Sequence, residues 1–77
     1  MNMNEKMKKL YEYARNVKPG KLPKPLTTLY QLNEFLWTFK ELARNKSATF
    51  LTNETKALYE KFDFTVKPHG IGYIVEV

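Results

Sequence analysis

The sequence contains no cysteine, only one histidine (His69) and one serine (Ser47), and three glycines among its 77 residues. Without cysteine the chain forms no disulfide and no thiolate zinc site, and a lone histidine does not assemble an ordinary zinc site. Ser47 has no base near it in sequence, and the three glycines do not form a phosphate-cradling loop. These absences predict a chain that is not an enzyme and has no catalytic residue, metal or cofactor.

Long hydrophobic runs are also absent. The N-terminal stretch MNMNEKMKKL lacks the apolar core of a signal peptide, and no segment approaches the length of a membrane span. We therefore expect a cytoplasmic protein that does not bind a membrane. Lysine outnumbers arginine eleven to two. This bias suggests an AT-rich genome, and a phage or mobile-element origin is our hypothesis.

The apolar content is sufficient for one small core. Hydrophobic residues make up 43% of the chain, and five Phe, five Tyr and one Trp are the bulkiest of them. A chain of this length has no room for a second core. We predict a single small domain over residues 1–77.

Positive charge is concentrated in the first third of the chain. Residues 1–26 carry seven cations and two anions, whereas residues 27–77 carry six of each. The whole net charge of +5 therefore belongs to residues 1–26. The domain divides into a basic N-terminal part, 1–26, and a neutral part, 27–77.

Apolar spacing predicts three helices. A stripe with 4-3-4-3 spacing predicts a first helix over residues 3–17, which ends at Lys18 because Pro19 follows. Thr28 and Gln31 match a capping box at the start of a long core helix that ends near Asn45. A third helix is predicted over 53–62, and residues 48–51 form a brief strand or a turn. The first stripe consists of Met3, Met7, Leu10, Ala14 and Val17.

The last fifteen residues predict a β-hairpin with a turn at Pro68-His69-Gly70. A type I turn with a left-handed Gly70 would pair Val66 with Gly72. Alternation instead places two apolar residues before the turn on the same face as three after it, and we favour this register because a one-residue slip would expose large apolar side chains. The two sets are Phe64 and Val66, and Tyr73, Val75 and Val77.

The fold class predicted is α+β, with three helices followed by a C-terminal β-hairpin. This order resembles a winged helix in topology: the proline-rich segment takes the place of the first short strand, and the hairpin takes the place of the wing. The long second helix and the roughly seven residues before the third helix depart from the tight turn of a helix-turn-helix.

The segment VKPGKLPKPL, residues 17–26, holds three prolines and three lysines. Three prolines in so short a stretch favour polyproline II geometry, which has three residues per turn. Lys18, Lys21 and Lys24 would then share one edge. Pro19, Leu22 and Pro25 would share another edge, which we expect to pack on the domain.

The basic third predicts association with the nucleic acid backbone. Its candidate contact residues are Lys8, Arg15, Lys18, Lys21 and Lys24. The third helix opens with Glu54 and carries a second acid, Glu60, so little base readout is expected. The alternative is that these cations are only a solvated surface.

The second hypothesis is a protein partner, with the chain acting as a protein–protein interaction module or as an inhibitor that binds a host protein. Tyr30 and Trp37 project together from the outer face of the second helix, near Arg44. Either the proline-rich segment covers Trp37, or the two aromatics and Arg44 form an exposed binding centre. The C-terminal strand GYIVEV is also predicted to leave an open edge for another chain, and a homodimer is one such assembly.

Overall fold

A computed structural model describes residues 4–77 of the chain, with three helices and three strands. The helices are α1 (Glu5–Arg15), α2 (Leu29–Asn45) and α3 (Asn53–Lys61). The strands are β1 (Ser47–Phe50), β2 (Val66–His69) and β3 (Gly72–Glu76). The predicted α+β class, the three helices and the C-terminal hairpin are confirmed. The order differs in one place, because a strand lies between α2 and α3.

The three strands form one antiparallel sheet in the order β1-β3-β2. Ala48 of β1 and Val66 of β2 both pair with Val75 of β3, so β3 lies at the centre. The prediction of an open edge at the C-terminal strand is therefore wrong, because both sides of β3 are already paired. The cause is β1, which buries Ala48 and Phe50 on the core face and needs β3 as its partner.

The proline-rich segment is not part of this sheet. Its one bridge joins Lys18 to Lys21 within the segment itself. The expectation that residues 17–26 take the place of a first strand is wrong, since the additional strand is β1. The winged-helix likeness stays a prediction.

The hairpin turn lies at Gly70-Ile71, two residues beyond the predicted start at Pro68. His69 pairs with Gly72, which leaves a two-residue loop in which Gly70 has φ of 60°. A positive φ at the first central position alone is the geometry of a type II′ turn, which favours glycine there. Because Val66 pairs with Val75, the register expected from apolar alternation is confirmed.

Helix α1 is shorter than predicted. It begins after Asn4, whose side chain accepts a hydrogen bond from the Met7 amide at 2.9 Å. It ends at Arg15, because the Asn16 amide turns back to the Tyr13 carbonyl at 3.1 Å. Val17 therefore lies outside the helix, and the predicted start at residue 3 lies outside the described residues.

Helix α2 has the predicted capping box at its start. The Gln31 amide donates to Thr28 Oγ1 at 3.2 Å, and the Thr28 amide donates to the Gln31 side chain at 3.2 Å. At the other end Lys46 adopts φ of 65° and donates to the Leu42 carbonyl at 2.8 Å. This left-handed cap reverses the chain, so β1 runs back along α2.

Tyr59 of α3 lies fully buried at the centre of the core. Its ring centroid lies 5.5 Å from that of Phe35, 5.6 Å from that of Phe50 and 5.8 Å from that of Phe64. These three partners belong to α2, to β1 and to the segment after α3. One side chain thus joins most of the elements of the neutral part.

Burial raises the pKa of Tyr59 above its ordinary value, and the charge of Glu34 adds to the rise. Above about pH 10 the unfolded chain releases this phenolic proton while the folded chain keeps it. The free energy of unfolding should therefore fall with rising pH, by up to about 1.4 kcal/mol per pH unit from this residue. Tyr59→Phe removes this contribution.

We expect urea titrations between about pH 9 and pH 11 to give a shallower decline for Tyr59→Phe than for the natural chain. All other ionisable groups are common to both proteins, so their contributions cancel in the comparison. Tyr30→Phe, at an exposed position, is the control and should keep the steeper decline. Equal slopes for the natural chain and Tyr59→Phe would contradict the assignment.

Candidate functional site

The proline-rich segment forms two consecutive turns rather than a polyproline II helix. The Lys21 amide donates to the Lys18 carbonyl at 3.1 Å across Pro19 and Gly20. The Leu26 amide donates to the Pro23 carbonyl at 2.8 Å. Proline is favoured at the second position of a β-turn, and the Pro-Gly pair therefore bends the chain. The predicted packing of Pro19 on the domain is wrong because this residue is exposed.

The two turns nevertheless bring the three lysines of the segment to one groove of about 520 Å³, here called the lysine groove. Lys18, Lys21 and Lys24 are all exposed at its rim. Four apolar side chains and one asparagine complete it. They are Tyr13, Val17, Leu22, Pro23 and Asn16.

The lysine groove carries a positive charge that no carboxylate of residues 4–77 offsets by an ion pair. The ion pairs among these residues join Lys8 to Glu5, Arg44 to Glu41 and Lys56 to Glu60. Lys18, Lys21 and Lys24 take part in none of them. An anion at the groove would therefore not have to displace a carboxylate of the chain.

The groove adjoins the C-terminal end of α1, where free carbonyls would repel an anion. Here three of the last four carbonyls of α1 accept hydrogen bonds. The Glu12 carbonyl accepts from the Asn16 side chain at 2.8 Å, and the Tyr13 carbonyl accepts from the Asn16 amide at 3.1 Å. The Ala14 carbonyl accepts from the Val17 amide at 3.3 Å. The hydrogen bonds of Asn16 thus reduce the partial negative charge that the C-terminal end of α1 presents to the lysine groove.

Lys8 and Arg15 do not line this groove, so the structure brings together only three of the five candidate contact residues. Lys8 Nζ lies 3.8 Å from a carboxylate oxygen of Glu5. The Arg15 guanidinium lies 5.7 Å from the centroid of the Tyr11 ring. Arg15 lines a separate groove with Leu36, Phe39 and Lys40, because α1 ends at Arg15 and the chain turns away after it.

A second groove, of about 470 Å³, surrounds the exposed aromatic pair of α2 and is here called the aromatic groove. Tyr30 is 61% exposed and Trp37 is 62% exposed. The interpretation in which the proline-rich segment covers Trp37 is therefore wrong, and the other groove walls come from β1 and the hairpin. The full lining is Tyr30, Asn33, Glu34, Trp37, Thr38, Thr49, Phe50, Leu51, His69, Ile71 and Gly72.

Of the lining residues of the aromatic groove, sequence reasoning identified only Tyr30 and Trp37, and it missed two exposed apolar residues, Leu51 and Ile71. Ile71 is 96% exposed in the hairpin loop, and Leu51 is half exposed after β1. The signal for Ile71 was its position between Gly70 and Gly72, since an apolar residue between two glycines of a tight turn has little to pack against. Gly72 itself approaches the Phe50 carbonyl so closely that a Cβ would not fit there.

One carboxylate, that of Glu34, lines the aromatic groove. The carboxylate of Glu34 accepts hydrogen bonds from the Leu51 amide at 3.0 Å, from the Thr52 amide at 3.2 Å and from the Thr52 hydroxyl. Glu34 therefore caps the N-terminus of α3 instead of facing the groove with a free charge. Arg44, predicted to belong to this centre, does not line it and binds Glu41 at 2.9 Å.

Neither a metal-binding cluster nor a membrane-spanning helix is found in the part of the chain that the structure describes. Residues 4–77 contain no group of three His, Asp or Glu side chains placed to hold a metal ion. Over the same range, each helix is too short or too polar to cross a membrane.

Comparisons with protein-family models, curated proteins and solved structures find no match for this chain.

The contacts of Glu34 predict that this residue is important for stability. Glu34→Ala leaves two backbone amides and a hydroxyl without their acceptor, and should lower the free energy of unfolding by about 1–3 kcal/mol in urea titrations. Glu41→Ala, on the same helix, breaks a surface ion pair with Arg44 and an exposed hydrogen bond from Asn45, and should cost less than about 1 kcal/mol. Equal losses for the two variants would show that the cap contributes nothing beyond an ordinary surface contact.

Proposed function

We propose that this protein is a small non-enzymatic binding protein that associates with the nucleic acid backbone through the lysine groove. The observation that carries the proposal is the convergence of Lys18, Lys21 and Lys24 on one groove, with no ion pair to a carboxylate of residues 4–77. Closely spaced phosphates are the partner that such a set of ammonium groups favours.

The rest of the molecule supports backbone contact rather than base readout. Helix α3 would be the reading helix of a winged-helix arrangement, but it presents Glu54 in its first turn. Its Lys56 is held by Glu60 at 3.1 Å. Since specific readout needs donors directed at base edges, we expect little preference among duplex sequences.

Salt dependence tests the proposal. In fluorescence anisotropy titrations with labelled DNA between about 50 and 200 mM salt, the logarithm of affinity should fall linearly against the logarithm of salt. The slope should be about −3 for a duplex and about −2 for a single strand, since each of the three lysines neutralises one phosphate and releases its counterions. The absence of binding at the lowest salt concentration would refute nucleic acid association.

Charge reversal locates the site. Changing Lys18, Lys21 and Lys24 together to Glu should weaken binding at least about tenfold and flatten the salt slope. The matched control reverses three exposed lysines elsewhere, Lys46, Lys61 and Lys67, and changes the net charge equally. An equal loss for both triple variants would mean that net charge, and not the lysine groove, determines affinity.

The aromatic groove favours a second candidate function, self-association. Four large apolar side chains from α2, β1 and the hairpin are exposed around it, and Glu34 is occupied by internal hydrogen bonds. Such a surface is best covered by another surface that is apolar and uncharged. A second copy of the chain offers one, and residues 27–77 have no net charge to repel it.

Sedimentation velocity over a wide range of protein concentration tests self-association. The natural chain should pass from monomer to dimer, and Trp37→Ala should stay monomeric while losing less than about 1 kcal/mol of folding stability, because the indole is exposed. A monomer at every concentration would exclude the second copy, and a loss of roughly 3 kcal/mol or more would show that Trp37 belongs to the core.

A further inference from the structure

The lysine groove has an apolar floor as well as a charged rim. Tyr13, Val17 and Leu22 are half buried and pack against the hydrophobic core, and Pro23 lies beside them. The rim lysines would need no such floor to hold phosphates alone. The apolar floor therefore favours a ligand that presents an apolar surface as well as negative charge.

The floor is fixed in place by the fold. The Tyr13 ring lies edge-on to Phe35, with centroids 6.1 Å apart, and contacts Phe62 with centroids 5.0 Å apart. The second turn is anchored by Leu26, which is buried. A groove held by core contacts on one side and a buried leucine on the other is preformed, which reduces the ordering cost of binding.

Two classes of nucleic acid differ in what they present to such a groove. A duplex stacks its bases inside and offers phosphates and sugars at its surface. A single strand offers phosphates together with unstacked bases, whose faces cover apolar side chains. The volume of about 520 Å³ lies in the range of small-molecule sites and accommodates a nucleotide.

We propose that the lysine groove binds an unpaired nucleic acid strand, with phosphates on Lys18, Lys21 and Lys24 and a base over Leu22 and Pro23. This inference rests on the proposed function, because it assumes that the lysines bind phosphates. It adds the class of strand and a role for the apolar floor. It involves no reading of base edges, so the expected preference is for unpaired over paired strands and not for one sequence.

Three labelled probes of equal length test the proposal by anisotropy at one salt concentration. They are an oligothymidylate of about 12 nucleotides, an abasic strand of equal length and a duplex of equal length. Because the duplex has twice the phosphates of either single strand, charge alone would favour the duplex. The oligothymidylate should bind about tenfold more tightly than either of the others, the effect of covering on the order of 50 Å² of apolar surface.

The outcomes separate the two proposals. If the abasic strand or the duplex binds as tightly as the oligothymidylate, the lysines bind phosphates but the floor contacts no base, and only the inference fails. If none of the three binds at low salt, the proposed function fails and the inference fails with it. An oligoglutamate peptide of equal charge that binds as tightly as the oligothymidylate would reassign the groove to acidic protein segments.

A variant of the floor gives a second test. Leu22→Ser should weaken oligothymidylate binding about tenfold and leave abasic-strand binding unchanged. Leu29→Ser, at an exposed position of α2 outside both grooves, is the control and should change neither.

Chemical shifts of the natural chain provide a readout that does not depend on the variant folding. In amide NMR spectra, oligothymidylate should shift the resonances of Tyr13, Val17 and Leu22, and the abasic strand should shift mainly those of the lysines. Shifts confined to the lysines with both probes would overturn the assignment of the floor.

Discussion

The packing around Tyr59 is the interaction on which the rest of the structure depends. No disulfide is present, and a domain of this length buries too little surface to have stability in reserve. Tyr59 contacts Phe35, Phe50 and Phe64 and thereby joins α2, β1 and the approach to β2. Because aromatic side chains bury the largest areas, one well-placed tyrosine holds elements that are distant in sequence.

This arrangement determines which surfaces stay free. Phe35 and Leu42 turn one side of α2 into the core, which leaves Tyr30 and Trp37 on the other side. The hairpin then brings Ile71 to the same region, so the aromatic groove is a consequence of how the core is built. When a helix has apolar residues on two sides, one side stays exposed unless a further element packs on it. The proline-rich segment does not cover this side of α2.

The same core positions the lysine groove from the opposite end of the chain. Tyr13 of α1 contacts Phe35 and Phe62, and these contacts hold the last turn of α1 against the core. The two grooves share no residue. A ligand in one therefore does not compete directly for the side chains of the other, and strand binding and self-association are compatible proposals.

Local sequence patterns predicted the helices and the C-terminal hairpin. They did not predict the strand order, which depends on pairing between residues that are distant in sequence. The capping box of Thr28 and Gln31 and the alternation around Val66 and Val75 involve neighbours in sequence or across a tight turn, and both are confirmed. The position of β3 at the centre depends on β1, about twenty-five residues earlier, and no local pattern encodes that pairing. The open C-terminal edge was therefore predicted wrongly.

The lysine groove shows the same division between local and distant information. Spacing alone indicated that Lys18, Lys21 and Lys24 belong together, and the structure does bring them to one groove. The reason given was wrong, because two turns and not a polyproline II helix bring them there. The apolar floor was not predicted, since Tyr13 reaches the groove from the preceding helix and the residues that fix it, Phe35 and Phe62, are distant in sequence.

The turns also explain why a positive cluster is tolerated at this place. Like charges around one groove repel, and in the free protein this repulsion opposes the turns that gather them. The buried Leu26 and the two turn hydrogen bonds offset that repulsion. A bound polyanion removes the repulsion and so stabilises the folded chain by binding it in preference to the unfolded one. The core thus holds the three lysines together against their mutual repulsion, and an anionic ligand relieves that repulsion.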